Sequence, residues 1–280
     1  MGDTFKILNS CILFASFLFG CKSSTQNNDW TAYKLKGKVK SIEEQSHYFS
    51  KSQKSKSEEE RPRLISFDSK GYISHYAVFE LDGSVNSTIS TTYFDTYSID
   101  SVYDSNNILL SVLKRTYNDK GKTLSIHSSK GLGDQFENGY NAFFKYDDNN
   151  NLIEDMEYNN RSKLISKRKY KYNKENKRIE LREYNSLSQC EGYETYEYDS
   201  NGNEIESKYY NTFFKAFTQI NTYQYNSRGD IVQQSSNELT KKAISVSNIY
   251  YVYDKNENWT KKTIESNTGQ RITTRQIIYH

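Results

Sequence analysis

The fold is decided by the stretch Tyr196-Glu197-Tyr198-Asp199-Ser200-Asn201-Gly202-Asn203-Glu204-Ile205, in which two tyrosines flank a charged residue and a polar turn follows. Successive side chains of a strand point to opposite faces, so the two tyrosines share one face and Glu197 lies on the other. Asn and Gly tolerate positive φ, and Asp can accept hydrogen bonds from the backbone that follows it. The stretch predicts a β-hairpin.

The same unit recurs along the chain: an aromatic residue, Asp or Asn, a short polar turn, and an aliphatic residue. The aromatic anchors are Phe67, Tyr103, Tyr117, Tyr146, Tyr172, Tyr198, Tyr225 and Tyr253. From Tyr146 onward they are 26 to 28 residues apart. A unit of about 27 residues has room for two strands of roughly nine residues and two turns, which is a β-hairpin with its connection.

Period-two alternation is present in several units, and helical spacing is absent from the rest of the chain. Lys145, Lys171 and Gln224 are each flanked by two aromatic residues, as Glu197 is. We predict an all-β chain, an antiparallel meander of repeated β-hairpins over residues 36–280. A sheet that is apolar on one face must cover that face, so it is expected to form a curved, rolled or barrel-like sheet, or two layers.

Composition limits the classes of partner. Hydrophobic residues make up only 35% of the chain, but 25 Tyr and 14 Phe supply enough apolar surface for a core. Charged residues make up 26%, interspersed in sign, and the formal net charge is +3. This distribution does not indicate nucleic-acid binding.

The N-terminus differs from the rest of the chain. Residues 1–20 contain a mostly apolar stretch that is too short to span a bilayer and is typical of a cleaved secretory signal. Its end resembles the lipobox of bacterial lipoproteins, with the residues Leu18, Phe19, Gly20 and Cys21. The resemblance implies cleavage before Cys21, a membrane anchor through lipid on Cys21, and a location in the bacterial cell envelope, at the outer membrane. The Ser, Gln and Asn of residues 22–29 predict a polar tether within residues 21–35.

Cysteine usage agrees with export without a disulfide framework. Cys11 would leave with the signal and Cys21 would be lipidated, so only Cys190 remains of the three cysteines. No histidine lies near Cys190 in sequence, and a lone cysteine of this kind is typically a small apolar residue. We assign Cys190 no chemistry.

The Tyr-Asp-x-x-Gly-Asn pattern of Tyr198, Asp199, Gly202 and Asn203 resembles the YD repeat of the rearrangement-hotspot family. The resemblance covers residues 67–259. Proteins of that family build long β-sheets from successive hairpins, some wound into a hollow shell, and some are surface- or toxin-associated. No toxin or processing domain is recognisable in this chain.

Two kinds of segment allow other interpretations. Asp-x-Asn-x-Asn occurs at Asp147, Asp199 and Asp254 and resembles the start of a calcium loop, although the Asp199 loop lacks the Gly and Glu that complete one. Turn chemistry explains the same residues without metal.

Residues 50–60 are rich in charge and 130–134 in glycine, and both predict surface loops.

No catalytic or metal-binding constellation is recognisable. The four histidines are scattered, no nucleophile elbow is present, and no carboxylate pair is singled out. We therefore expect no enzyme, no cofactor and no metal, and a binding or structural module that presents its β-repeat surface to a protein partner. The alternative is glycan binding or processing, because exposed Tyr, Trp30 and Trp259 could stack on sugar rings.

Overall fold

The computed structural model describes residues 28–51, 57–132 and 135–280, in which one short helix precedes nineteen strands. The helix is α1 (Asp29–Ala32). The first strands are β1 (Val39–Ser50), β2 (Ser57–Glu59), β3 (Arg63–Phe67), β4 (Ile73–Phe79), β5 (Val85–Tyr93), β6 (Tyr97–Asp104), β7 (Leu109–Tyr117), β8 (Thr123–Leu132) and β9 (Gln135–Tyr146). They are followed by β10 (Leu152–Tyr158), β11 (Leu164–Tyr172), β12 (Arg178–Tyr184), β13 (Cys190–Tyr198), β14 (Glu204–Asn211), β15 (Ala216–Tyr225), β16 (Ile231–Glu238), β17 (Ala243–Tyr253), β18 (Trp259–Ser266) and β19 (Gly269–Tyr279).

The strands form a closed antiparallel barrel, so the prediction of an all-β meander is confirmed. Each strand from β3 to β18 pairs with the strand that follows it in sequence. The last strand, β19, pairs with β1 from Val39↔Tyr279 to Ser50↔Gly269. The other edge of β1 pairs with β3 and, further along, with the short β2. Eighteen strands close the ring and β2 is the extra one. Closure removes the free edges of the sheet.

Antiparallel order fixes which turns share an end of the barrel. One end, here called the N-terminal end, carries residues 28–38, His280 and the turns at 68–72, 118–122, 147–151, 173–177, 199–203, 226–230 and 254–258. The opposite end carries the turns at 80–84, 105–108, 159–163, 185–189, 212–215 and 239–242. Seven of the eight predicted anchors therefore precede turns at the N-terminal end, and Tyr103 precedes one at the opposite end.

One turn geometry follows all eight anchors. After Tyr198, the backbone N–H of Asp199 donates to the carbonyl of Asn203, and the Asp199 carboxylate accepts from the N–H of Asn201 and of Asn203. Gly202 has φ +85°, a conformation that costs glycine little. Tyr198 pairs with Glu204, and the residue after Glu204 forms a β-bulge. The local sequence is sufficient to produce this turn.

The same turn occurs three times where the sequence analysis did not look for it. It follows Phe79, Tyr158 and Tyr184, all at the opposite end of the barrel. After Tyr158 and Tyr184 the positive-φ position is held by serine rather than by Gly or Asn. The unit of about 27 residues is therefore two strands with a turn of this type at one end or at both.

Side chains alternate between an inner and an outer face, as the period-two pattern predicts. Tyr170 and Tyr172 are half-buried on the inner face. Lys171, which lies between them, and Lys169, which precedes Tyr170, are exposed. The buried apolar residues of the inner face form two clusters, which are Val39, Ile42, Ile65, Phe67, Ile73 and Tyr76, and Val102, Leu113, Ile126 and Ala142. The half-buried Ile89 packs against both clusters.

Residues 28–38 close part of the N-terminal end. The Trp30 indole donates to the Val39 carbonyl at 2.8 Å, and Trp30, Tyr33 and Leu35 pack on the first apolar cluster. Asp29 is 2% exposed and accepts a hydrogen bond from the Ile73 backbone N–H at 2.6 Å. Of the segment 21–35 in which a tether was predicted, residues 28–35 are thus packed on the barrel.

Two predicted surface loops are in part strands. Ser57–Glu59 pairs with His47–Phe49, and Lys130–Leu132 belongs to β8, where it pairs with β9. Main-chain pairing along a closing sheet outweighs the polar composition of these residues. Residues 52–56 and 133–134 of the two loops lie outside the described residues.

Candidate functional site

Four of the anchor tyrosines join successive hairpins through their hydroxyl groups. Those of Tyr146, Tyr172, Tyr198 and Tyr225 donate to the carbonyls of Thr123, Leu152, Arg178 and Glu204 at 2.8, 2.8, 2.6 and 2.6 Å. Each accepting residue is the partner of the preceding anchor and stands directly before its bulge. The tyrosine therefore supplies a donor where the bulge interrupts the regular ladder.

The inner wall from β10 to β17 combines tyrosine rings with buried polar groups. Asp155 is 1% exposed and accepts hydrogen bonds from Arg168 at 3.0 Å and from the Tyr170 hydroxyl. Burial raises the pKa of the Asp155 carboxyl, and Arg168 opposes that rise. The Arg178 guanidinium carbon lies 4.3 Å from the Tyr196 ring centroid. These contacts satisfy the hydrogen-bonding capacity of the buried carboxylate.

A second polar cluster lies under α1. Arg115 pairs with Asp100 at 2.8 Å, and both side chains are less than one-tenth exposed. Burial raises the pKa of Asp29 to about 6, although the Ile73 N–H and Arg115 favour its charged form. Burial likewise raises the pKa of Tyr93 beside this cluster. The cluster ties residues 28–38 to the inside of the barrel.

A cavity of about 920 Å³ opens at the N-terminal end between residues 31–36 and the turns at 226–230 and 254–258. Its aromatic walls are Tyr33, Tyr253 and Trp259. Its polar walls include Arg228, whose guanidinium carbon lies 4.7 Å from the Tyr253 ring centroid, and Arg275, which lies 3.4 Å from that of Trp259. Such a mixture of flat rings and hydrogen-bonding groups suits a polar ligand of moderate size.

The outer wall is charged at the middle of the strands. Lys114 and Lys169 are exposed near the centres of β7 and β11. Outward ion pairs link Lys171 with Glu180 at 2.8 Å and Lys208 with Glu206. A lipid-facing barrel wall needs an outward apolar band, and a lysine at its mid-plane costs about 2–4 kcal/mol. The outer wall therefore carries mid-strand lysines beside exposed apolar side chains such as Ile165, Tyr250 and Val252.

The opposite end of the barrel carries the largest exposed apolar side chains, here called the apolar tip. Phe213 is 85% exposed and Phe214 58% exposed in one turn, with Leu187 at 72% in the preceding turn and Ile244 at 62% beside the next. The Phe213 and Phe214 rings contact each other edge-to-face with centroids 5.2 Å apart. Several strongly exposed apolar side chains at one end of a folded domain are typical of an interaction site.

The residues weighed for metal binding have structural partners. In the Asp147, Asp199 and Asp254 turns, the carboxylate Oδ1 accepts hydrogen bonds from turn N–H groups, and Oδ2 of Asp147 and of Asp199 accepts from an Asn side chain of the same turn. Among residues 28–51, 57–132 and 135–280, no three His, Cys, Asp or Glu side chains converge as metal ligands. Turn chemistry accounts for these residues.

The histidines and the free cysteine lie apart from one another. His47 faces Glu59 at 3.5 Å, His127 Nδ1 lies 2.7 Å from the Asn141 side-chain oxygen, and His280 contacts the Trp30 ring. Cys190 is half-buried at the start of β13 and contacts the Gly192 carbonyl. His75 Nδ1 lies 3.4 Å from the Ser90 hydroxyl oxygen. Among the described residues, Cys190 has no hydrogen bond with a histidine.

The predicted signal, Leu18, Phe19, Gly20 and the lipidated Cys21 lie outside the described residues. Within the part of the chain that the structure describes, no helix is long and apolar enough to cross a membrane.

Comparison with solved structures gives a fold and no family. No protein-family model matches the sequence, and a comparison with curated proteins finds no match. A porin-like protein from Bacteroides uniformis superimposes with a TM-score of 0.50 at 13% identity, over 86% of this chain and 98% of that one. A porin-like protein from Bacteroides vulgatus gives 0.41 at 11% identity, over 84% and 97% of the two chains.

A third structure is far larger than this chain. TcdB2-TccC3 gives a TM-score of 0.35 at 15% identity, over 82% of this chain and only 15% of that one. Of these three comparisons, only the first reaches a TM-score of 0.50 and supports a shared fold. What the two chains share is a β-barrel. The YD-repeat interpretation stays a resemblance of sequence.

Proposed function

We propose that this chain is a non-catalytic lipoprotein of the bacterial cell envelope that is anchored by lipid on Cys21 and binds a protein partner through its apolar tip. The apolar tip is the single observation that carries the proposal. Isolated exposed apolar residues are ordinary, but Leu187, Phe213, Phe214 and Ile244 come from three successive hairpins and are each more than half exposed.

The position of the apolar tip agrees with an anchor at the other end. Cys21 precedes Asn28 by seven residues, so lipid on Cys21 would lie within about 25 Å of the N-terminal end of the barrel. The apolar tip is at the opposite end, where it would point away from the anchoring membrane. Exposed Lys215 and Lys242 stand beside it, so an acidic protein surface is the complementary partner.

Site-specific photocrosslinking in the native envelope tests the partner. A photoreactive phenylalanine analogue replaces Phe213, and the same analogue at exposed Asp148, in a turn at the N-terminal end, is the matched control. We expect one recurrent protein adduct from position 213 and none from position 148. Equal adducts from both positions, or none from position 213 in folded protein, would refute the proposed partner site.

The anchor is tested separately by Cys21→Ser, which should release the protein from the membrane fraction. A Cys21→Ser protein that remains acylated and membrane-bound would show that the signal has been misidentified.

Glycan binding is the second candidate function, and the cavity lined by Tyr33, Tyr253 and Trp259 favours it. Rings of this kind present an apolar face to a sugar while Asn203 and Arg228 offer hydrogen bonds. This candidate would be supported if the protein bound a glycan on a broad panel and the Trp259→Ala variant did not bind it. A folded protein that binds no glycan on the panel would count against it.

A further inference from the structure

We infer that the inside of the barrel holds an anion-binding site centred on Lys262, which takes a ligand bearing a carboxylate or phosphate group. The site is independent of the proposed protein partner and of the apolar tip. Its side chains come from β3, β18 and β19 and from β1, where the first and last strands close the barrel.

The strand register places four cationic side chains on one inner wall. Along β19, Ile277, Arg275, Thr273 and Arg271 alternate with outward residues, and Ile277 pairs with the fully buried Ile42. Lys262 lies opposite Thr273 on the neighbouring strand. Glu44 lies opposite Arg63 on one neighbouring strand and opposite Arg275 on the other. Lys262, Arg63, Arg271 and Arg275 therefore face the interior together.

The carboxylates of this wall form ion pairs with its arginines. Glu44 pairs with Arg275 at 2.9 Å, and Glu60 pairs with Arg271 at 3.0 Å and lies 3.9 Å from Arg63. The formal charge of these six side chains is +2. Lys262 has no hydrogen bond or ion pair with any described residue, and its Nζ lies 5.0 Å from the Trp259 ring centroid.

The surroundings of Lys262 oppose its charge. Burial lowers the pKa of its ammonium, and Arg275, Arg271 and Arg63 lower it further, while Glu44 acts in the opposite direction. A half-buried ammonium without a counter-ion is costly, so a position of this kind favours an anion that pairs with it.

The chemistry of the wall defines the ligand. Arginine guanidinium groups and a lysine ammonium are the side chains that bind carboxylate and phosphate most strongly. Arg271 is 49% exposed on the side of the site nearer the opposite end of the barrel, which gives an entry path. The Trp259 ring lies between these cations, with the Arg275 guanidinium carbon 3.4 Å and Lys262 Nζ 5.0 Å from its centroid.

Thermal unfolding of the purified chain at constant ionic strength tests the site, with inorganic phosphate and D-glucuronate as probes and D-glucose as the neutral control. We expect at least one anionic probe to raise the unfolding temperature and glucose to leave it unchanged. Phosphate alone would identify a phosphate-bearing ligand, and glucuronate alone a carboxylate. If neither probe binds, the inference is wrong.

Two variants locate the binding. Lys262→Met should weaken probe binding about tenfold or more, because it removes the charge-assisted hydrogen bonds. Lys261→Met removes the neighbouring exposed outward lysine and should leave affinity within about twofold. Equal losses in the two variants would show unspecific attraction and overturn the site.

The fold of the Lys262→Met variant provides its own readout. Without probe, it should unfold at a higher temperature than the wild type, because it no longer buries an unpaired charge. A lower unfolding temperature would mean that Lys262 has a stabilising partner, and would contradict the inference.

Discussion

Two buried carboxylates, Asp29 and Asp155, show how burial and pairing compete at single residues. Asp155 has a guanidinium and a hydroxyl as partners, whereas Asp29 accepts from the Ile73 backbone N–H and from the Tyr93 side chain. Burial is the largest influence on both and raises both pKa values. Asp29 holds α1 on the barrel at an electrostatic cost that depends on pH.

The consequence for Asp29 can be measured with Asp29→Asn, which keeps an oxygen to accept from Ile73. The pKa of Asp29 rises from 3.8 to about 6 on folding, so the folded wild type loses up to about 3 kcal/mol of stability as the pH rises from about 4 to about 6. This destabilisation is absent below about pH 4. Relative to wild type, Asp29→Asn should therefore gain stability as pH rises from about 4 to about 7.

Urea unfolding of both proteins across that pH range measures the difference directly. A difference in unfolding free energy that is constant with pH would mean that Asp29 has the same pKa in the folded and unfolded chain.

At the scale of the hairpin, the repeated tyrosine does more than fill the core. The turn after each anchor is closed by its own Asp or Asn. Beside four of these turns the bulge leaves a carbonyl that accepts from the next anchor's hydroxyl, which belongs to Tyr146, Tyr172, Tyr198 or Tyr225. A phenylalanine has the same ring and lacks this donor. The hydroxyl therefore couples one hairpin to the next.

Tyr172→Phe tests that coupling, because the Tyr172 hydroxyl donates to the Leu152 carbonyl at 2.8 Å. We expect a loss of about 1 kcal/mol in unfolding free energy by urea denaturation, the usual net value of such a bond. Tyr250→Phe is the control, since Tyr250 is 54% exposed on the outer wall, and should change stability by less than about 0.5 kcal/mol. Equal effects in the two variants would mean that the hydroxyl bond contributes nothing.

At the scale of the whole molecule, the outer wall carries exposed lysines at mid-strand positions, which are costly on a barrel that crosses a bilayer. Lys114, Lys169 and the Lys208–Glu206 pair lie where a spanning barrel would meet lipid. The porin-like neighbour shares the architecture of the sheet, and the surface chemistry is a property of this chain.

The Cys21→Ser protein should therefore remain monomeric in buffer without detergent and keep its β-sheet circular dichroism. Size-exclusion chromatography with and without detergent measures this. Aggregation that only detergent prevents would mean that the outer wall, or the apolar tip, meets lipid in the native envelope.

The turns were the most predictable part of the molecule. Tyr198, Asp199 and Gly202 interact within a few residues of one another, so the order of residue types is enough to define their geometry. The turns after Tyr158 and Tyr184 were missed because serine occupies the left-handed position, where Gly or Asn was expected. Aromatic-Asn pairs at the start of both turns were the available signal.

The sequence by itself determined the all-β class, the hairpin unit and the alternation of tyrosine with charge, because these follow from contacts between near neighbours. Only the tertiary structure decided that the sheet closes, that residues 28–38 pack into one end, and that Lys262 faces the interior without a counter-ion. These depend on pairings such as Ser46 with Thr273, which lie 227 residues apart. Period-two alternation shows which residues share a face, but closure decides which face is inside.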